Sequence, residues 1–90
     1  MQDLKQQFEG AVQYVQTAQG SFKPSNDVKL EMYALFKQAT EGDVNGRKPG
    51  LTDFIGRAKY NAWEGLKGMS RDKAMQIYIG KIDGLKTQHG

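Results

Sequence analysis

Tyr33-Ala34-Leu35-Phe36-Lys37-Gln38-Ala39-Thr40 is the stretch whose periodicity says most about this chain. Set on a helix at about 100° per residue, it and the residues just before it sort into two adjacent stripes. Val28, Met32, Leu35 and Ala39 fall within about 60° of one another, the spacing of a core-facing edge. Leu30, Tyr33, Phe36 and Lys37 occupy a second arc, roughly 80° to 200° round from Val28. That arc is aromatic, apolar and cationic at once. Two rings and an ammonium group suit a ligand that combines a flat ring, a phosphate and an apolar part. The plainer reading is that Tyr33 and Phe36 widen the core stripe while Lys37 carries its charge to water along an apolar stem. Spacing alone favours the plainer reading.

Upstream, Ser25 or Asn26 can cap this helix, with Asp27 favourably placed in its first turn. Before them Gln19-Gly20-Ser21-Phe22-Lys23-Pro24 reads as a loop. The segment from Asp3 to Ala18 puts Leu4, Phe8, Ala11, Val15 and Ala18 on one stripe, with Val12 beside it. That is an amphipathic helix, weakened at Gly10 by about 1 kcal/mol relative to alanine.

Downstream, the second helix should end near Glu41-Gly42. Asp43-Val44-Asn45-Gly46-Arg47-Lys48-Pro49-Gly50-Leu51 follows, a run of turn formers long enough to suggest a purpose. Asn45-Gly46 suits a hairpin turn, but no alternating strands flank it. No Gly-Lys-Ser/Thr closes the loop as a phosphate-binding loop would require. Arg47 and Lys48 put cations where a calcium loop needs an oxygen ligand and a glycine. Thr52 is expected to cap a third helix from Asp53 to Leu66, with Ile55, Ala58, Ala62 and Leu66 on one stripe and Lys59 at its edge. Gly65 and Gly68 bracket its stop. Ser70 caps a fourth helix, Arg71 to Lys86, on which Ala74, Tyr78, Ile82 and Leu85 align beside Met75 and Ile79. The last four residues, from Thr87, are expected to fray. Every periodic segment has the helical period and none alternates, so the expected fold is all-α, a small four-helix bundle.

Ninety residues make one domain, spanning 1–90, near the lower end of comfortable core size. The chain has no cysteine, which removes disulfides, thiolate metal sites and thiol nucleophiles. Its N-terminus, Met1-Gln2-Asp3-Leu4-Lys5, lacks the apolar run of a signal peptide, and no apolar run approaches a membrane-spanning length. The expectation is a soluble, cytoplasmic protein without stable membrane insertion. A formal net charge of +3 favours anionic partners without selecting among them.

Catalysis needs a base, nucleophile or metal poised in a cleft. The one histidine, His89, is next to the C-terminus, and Ser21, Ser25 and Ser70 are accounted for by turns and caps. Glu9, Glu31, Glu64, Asp72 and Asp83 are scattered over polar faces. No metal site is expected, and the residues argue for binding without turnover. Nucleic acid is the natural rival partner for a small basic helical domain. Arg47, Lys48, Arg57, Lys59 and Lys67 would form its patch, yet acids interrupt every helix and no dense cationic face tracks a phosphate backbone. A membrane-surface helix fits less well still, since each amphipathic face is needed for the core. A module that grips a protein partner through Tyr33 and Phe36 is the further alternative.

Several stretches together resemble the acyl-CoA-binding protein family. They are Tyr33 to Asp43, Arg47-Lys48-Pro49-Gly50, Phe54-Ile55-Gly56-Arg57-Ala58-Lys59-Tyr60-Asn61-Ala62-Trp63, Leu66-Lys67-Gly68-Met69-Ser70, Ala74-Met75 and Tyr78-Ile79. The likeness spans nearly the whole chain in order and spacing. It implies an up-down-down-up four-helix bundle that binds medium- and long-chain acyl-CoA thioesters, a carrier and pool former needing no cofactor. Such a protein is expected to be a monomer, with transient contacts to acyl-CoA-using enzymes. By the resemblance, Tyr33, Lys37, Lys59 and Tyr78 match the family's ligand-contacting residues. Lys37 and Lys59 would hold the ribose 3′-phosphate and Phe36 would stack the adenine. Leu30, Gln16 and Ile55 are further candidates. The resemblance also assigns Phe8, Val12, Val15, Tyr78, Ile79, Ile82 and Leu85 to the seam between the first and last helices.

The chain departs from the family pattern at four places. Phe36 stands where tyrosine is frequent and keeps the ring without its hydroxyl. Gln16 aligns with a ligand-contacting lysine, which removes one expected phosphate contact. Ile55 replaces a common lysine and adds apolar surface. The first inter-helix loop, Gln19 to Ser25, is longer than in the animal proteins.

Overall fold

A computed structural model of the chain describes residues 3–17 and 25–89. Its elements are α1 (Leu4–Thr17), α2 (Asn26–Glu41), α3 (Phe54–Glu64) and α4 (Arg71–His89), with no strand among the described residues. All but the last residue of the first inter-helix loop lies outside them.

The helix starts are set by short side chains that take up free amide groups. Asp3 accepts from the Gln6 amide at 2.8 Å, Ser25 from Val28 at 3.3 Å and Ser70 from Lys73 at 3.0 Å. Of the two caps expected for α2, Ser25 is the one used. For α3 the cap is Asp53 in place of Thr52. Its carboxylate accepts the Gly56 amide at 3.0 Å, so the helix proper begins at Phe54. α3 also ends at Glu64, with residues 65–68 forming turns before α4. α4 does not stop at Lys86 but continues to His89. Gly42 ends α2 with a φ of +82°, a left-handed conformation that glycine adopts without the steric cost of a side chain.

Side-chain pairs reveal the directions of the helices. Lys59 lies over Tyr33 and Lys37 lies over Trp63, one turn further along both helices, so α2 and α3 run parallel. Glu31, early in α2, pairs with Lys81, late in α4, at 2.6 Å. Gln38, late in α2, reaches the Met69 carbonyl just before α4 begins, so these two helices are antiparallel. Lys5 and Phe8 on α1 share a hollow with Arg71 and Met75, the first turns of α4, which makes α1 and α4 parallel. The bundle is therefore up-down-down-up. Parallel neighbours need a long connection, and residues 42–53 supply it. That loop is pinned to α3 by Arg57, which donates to the Pro49 carbonyl at 3.0 Å, and by the Trp63 indole N–H, which donates to Gly42 at 2.9 Å.

The core is one cluster: Phe8 and Ala11 from α1, Met32, Leu35 and Ala39 from α2, and Ala74, Tyr78 and Ile82 from α4. Burying a side chain such as Leu35 or Ile82 contributes roughly 1.5–3 kcal/mol. Gln38 is wholly buried beside them. Its amide N–H₂ donates to Asp43 at 2.9 Å and to the Met69 carbonyl at 2.8 Å, and Asp43 also accepts the Gly68 amide at 2.8 Å. The knot joins the end of α2 to the turn before α4. Those two hydrogen bonds, Gly68's first, hold the Asp43 carboxyl below the usual carboxylate range.

The expected stripe on α3 is only partly buried. Trp63 is sealed and Ala58, Ala62 and Leu66 are half-buried, but Ile55 is 72 % exposed. The reason is the packing order. α2 packs against both α3 and α4, and α1 packs against α4, while α2 is the one described helix against which α3 packs. The first turn of α3 overhangs that contact, leaving Ile55 with Phe54 and Leu51 in solvent.

Candidate functional site

The same packing order creates the site. α1 rides on α4 and is not packed directly along α2. The interval between α1 and α2 is bridged by rings instead of by helix contact. Phe8 stacks on Phe36 with centroids 6.1 Å apart and meets Tyr78 edge-on at 5.1 Å. Around this bridge the interval opens as two hollows that share Val12, Gln16 and Phe36.

The hollow toward the middle of α2 has a volume of about 460 Å³. Val12, Val15, Met32 and Phe36 give it an apolar lining, and Gln16, Lys29, Tyr33 and Tyr78 give it polar atoms. Among the described residues, no carboxylate is in its lining. Phe36 is 37 % exposed, with one face of its ring taken by Phe8 and the remainder left open. Tyr78 is 4 % exposed, and its hydroxyl has no hydrogen-bond partner among the described residues. Burial pushes the Tyr78 hydroxyl's pKa up, so it stays a donor. The neighbouring hollow is about 650 Å³ and carries Lys5, Glu9 and Arg71 as well as apolar residues.

At the rim of the smaller hollow two ammonium groups converge on one ring. Lys37 Nζ is 6.0 Å and Lys59 Nζ 5.3 Å from the centroid of Tyr33, and Lys37 is also 5.3 Å from the Trp63 ring. Each is at cation–π distance. α2 supplies Tyr33 and Lys37 at one-turn spacing, and the parallel α3 brings Lys59 across. Lys37 is also paired with Glu41, a turn further on. That hydrogen bond, opposed by slight desolvation, raises the Lys37 pKa and keeps the group charged. Two cations flanking a phenol, next to an apolar hollow with no acid among its described lining residues, can accommodate an anion joined to a ring and an apolar chain.

The structure thus brings Tyr33, Phe36, Lys37, Lys59, Tyr78 and Gln16 to this one interval and its rim. It does not bring Leu30 or Ile55 there. Leu30 turns to a separate hollow with Ala34, Leu35, Ala62 and Leu66, on the α3 side of α2. Ile55 projects into solvent from the first turn of α3. Sequence reasoning passed over Lys29, which lines the hollow one turn before Tyr33. Its spacing of four from Tyr33 was the available signal. No group of three or more His, Asp and Glu among the described residues is placed to hold a metal ion. Likewise no helix there is long and apolar enough to cross a membrane.

The chain is 42 % identical over 83 residues to acyl-CoA-binding protein homolog 1 of Caenorhabditis elegans, covering 92 % of this chain and 94 % of that protein. It is 39 % identical over 87 residues to enoyl-CoA delta isomerase 2 of Rattus norvegicus, matching 97 % of this chain but only 22 % of that protein's length. Its fold superposes on the crystal structure of the ACBP from Moniliophthora perniciosa with a TM-score of 0.90 at 42 % identity, over 94 % of this chain and 82 % of that one. A family model described as acyl CoA binding protein matches residues 5–82, and on that match the chain belongs to the acyl-CoA-binding protein family.

Proposed function

We propose that this protein binds medium- and long-chain fatty acyl-CoA thioesters without turnover, as a carrier that keeps a bound pool of them. The observation that carries the reading is the convergence of Lys37 and Lys59 on the Tyr33 ring, beside an apolar hollow with no carboxylate among its described lining residues. In this reading the two ammonium groups hold the ribose 3′-phosphate, and the open face of Phe36 stacks the adenine. The Tyr78 hydroxyl donates to a polar atom of the ligand, and the apolar lining covers its carbons.

Magnitudes divide the work between the two ends of the ligand. Burying ten methylenes would contribute about 8 kcal/mol gross, at about 0.8 each. A base-aromatic stack adds about 1–3 kcal/mol. Two charge-assisted hydrogen bonds to phosphate add about 1.5–3 kcal/mol each. Head and tail are therefore comparable before the entropy of association is subtracted. Both are needed, so palmitate and unacylated CoA should each bind far more weakly than palmitoyl-CoA. Calorimetric titration with palmitoyl-CoA tests the reading. Saturable one-to-one binding supports it, and a flat titration sinks it.

A further inference from the structure

Gln16 stands where the family resemblance places a ligand-contacting lysine, so α1 offers an amide where a cation would be expected. The hollow it lines is nevertheless not without a cation. Lys29, facing Gln16's helix from α2, lines the same hollow. We infer that Lys29 takes over the phosphate contact that Gln16 cannot make, so that the missing charge on α1 is restored from α2.

Three observations carry this. Lys29 is the only Lys or Arg in the lining of that hollow among the described residues, and no acid there competes for it. Its ammonium has no ion-pair partner among the described residues, unlike Lys37, held by Glu41, or Lys81, held by Glu31. Finally, Lys29, Tyr33 and Lys37 succeed one another at one-turn intervals, so their side chains share one face of α2. The phenol that Lys37 and Lys59 flank thus has a third cation one turn toward the N-terminus. A head group carrying more than one phosphate can meet Lys37 and Lys59 with one and Lys29 with another. A lysine serves here because a point charge on a flexible stem reaches a phosphate from either wall of the hollow.

The inference rests on the acyl-CoA reading, and the experiment separates the two. Binding of palmitoyl-CoA is measured for the wild type, Lys29→Gln, Gln16→Lys and the double variant, with circular dichroism to confirm equal helicity. Lys29→Gln should weaken binding about three- to tenfold and flatten its dependence on salt, since one screened ion pair is lost. Gln16→Lys in the Lys29→Gln background should bring back both the affinity and the salt dependence, which a merely structural role for Lys29 would not allow. Palmitoyl-dephospho-CoA locates the contact. A Lys29→Gln penalty that persists with it assigns Lys29 to the diphosphate, and one that vanishes assigns it to the 3′-phosphate. If the wild type binds and Lys29→Gln binds equally well, or if Gln16→Lys restores nothing, the inference is overturned while the acyl-CoA reading stands. If the wild type does not bind, both fall.

Discussion

The Lys37 ammonium is ion-paired with the Glu41 carboxylate at 2.5 Å, one turn apart on α2. The lysine assigned to the ligand's phosphate therefore already has an anion of its own. A phosphate arriving at Lys37 competes with Glu41 and is repelled by it. Glu41→Gln should raise the affinity for palmitoyl-CoA about two- to threefold, the scale of an exposed helix pair. Palmitoyl-dephospho-CoA should gain less. Parallel titrations of both ligands check this, and a loss of affinity in the variant would contradict it.

Lys37 and Lys67 separate site from background. Lys67 lies in the turn after α3, exposed and outside the hollow's lining. Lys37→Ala should cost about 1.5–3 kcal/mol of binding, or about ten- to a hundredfold, as the loss of a charge-assisted bond. Lys67→Ala should change affinity by less than about twofold, as for an exposed charge without a contact. Equal losses in calorimetry would reject the site.

On the proposed reading, Phe36 serves the ligand more than the fold. One face of its ring packs on Phe8, but the residue stays 37 % exposed. Phe36→Ala should remove about 1–3 kcal/mol of binding with the lost base stack. It should lower the melting temperature far less than a core truncation such as Leu35→Ala, which costs about 2–5 kcal/mol. Binding and thermal melts on the same samples read the two effects apart.

Asp43 gives the fold an acid-sensitive tie. Its carboxyl titrates below an unfolded aspartate because Gly68 and Gln38 hydrogen-bond the charged form. The stabilisation is complete above the ordinary aspartate value of about 3.9 and is lost as pH falls through the depressed value of the folded state. Asp43→Asn should be less stable than the wild type at neutral pH, and the gap should close in acid. Denaturant midpoints across pH measure it, and a gap that widens on acidification would exclude the mechanism.

The stripe of Met32, Leu35 and Ala39 and that of Ala74, Tyr78 and Ile82 were legible from period alone, because each lies along a helix packed for most of its length. Ile55 was not. It satisfies the same period, but burial also needs an opposing element, and α2 is the one described helix packed beside α3. Leu30 lies in the hollow on the α3 side of α2 for a related reason, since an arc drawn on one helix cannot say which neighbour each edge will meet. Gln38 reads as a polar interruption until its partners Asp43 and Met69, one of them far along the chain, come together around it. Lys29 reads as a solvated lysine until α1 stands opposite. In the site, family resemblance supplied the pairing of Lys37 with Lys59, which local spacing on separate helices could not.

The rings that prop α1 away from α2 also bear on how quickly a guest is taken up. A pocket hidden behind packed helices must wait for a rare opening, which caps its uptake at a plateau. Here the entrance stands ajar in the resting molecule. Stopped-flow capture of palmitoyl-CoA should accelerate in proportion to ligand concentration and show no plateau from a prior rearrangement.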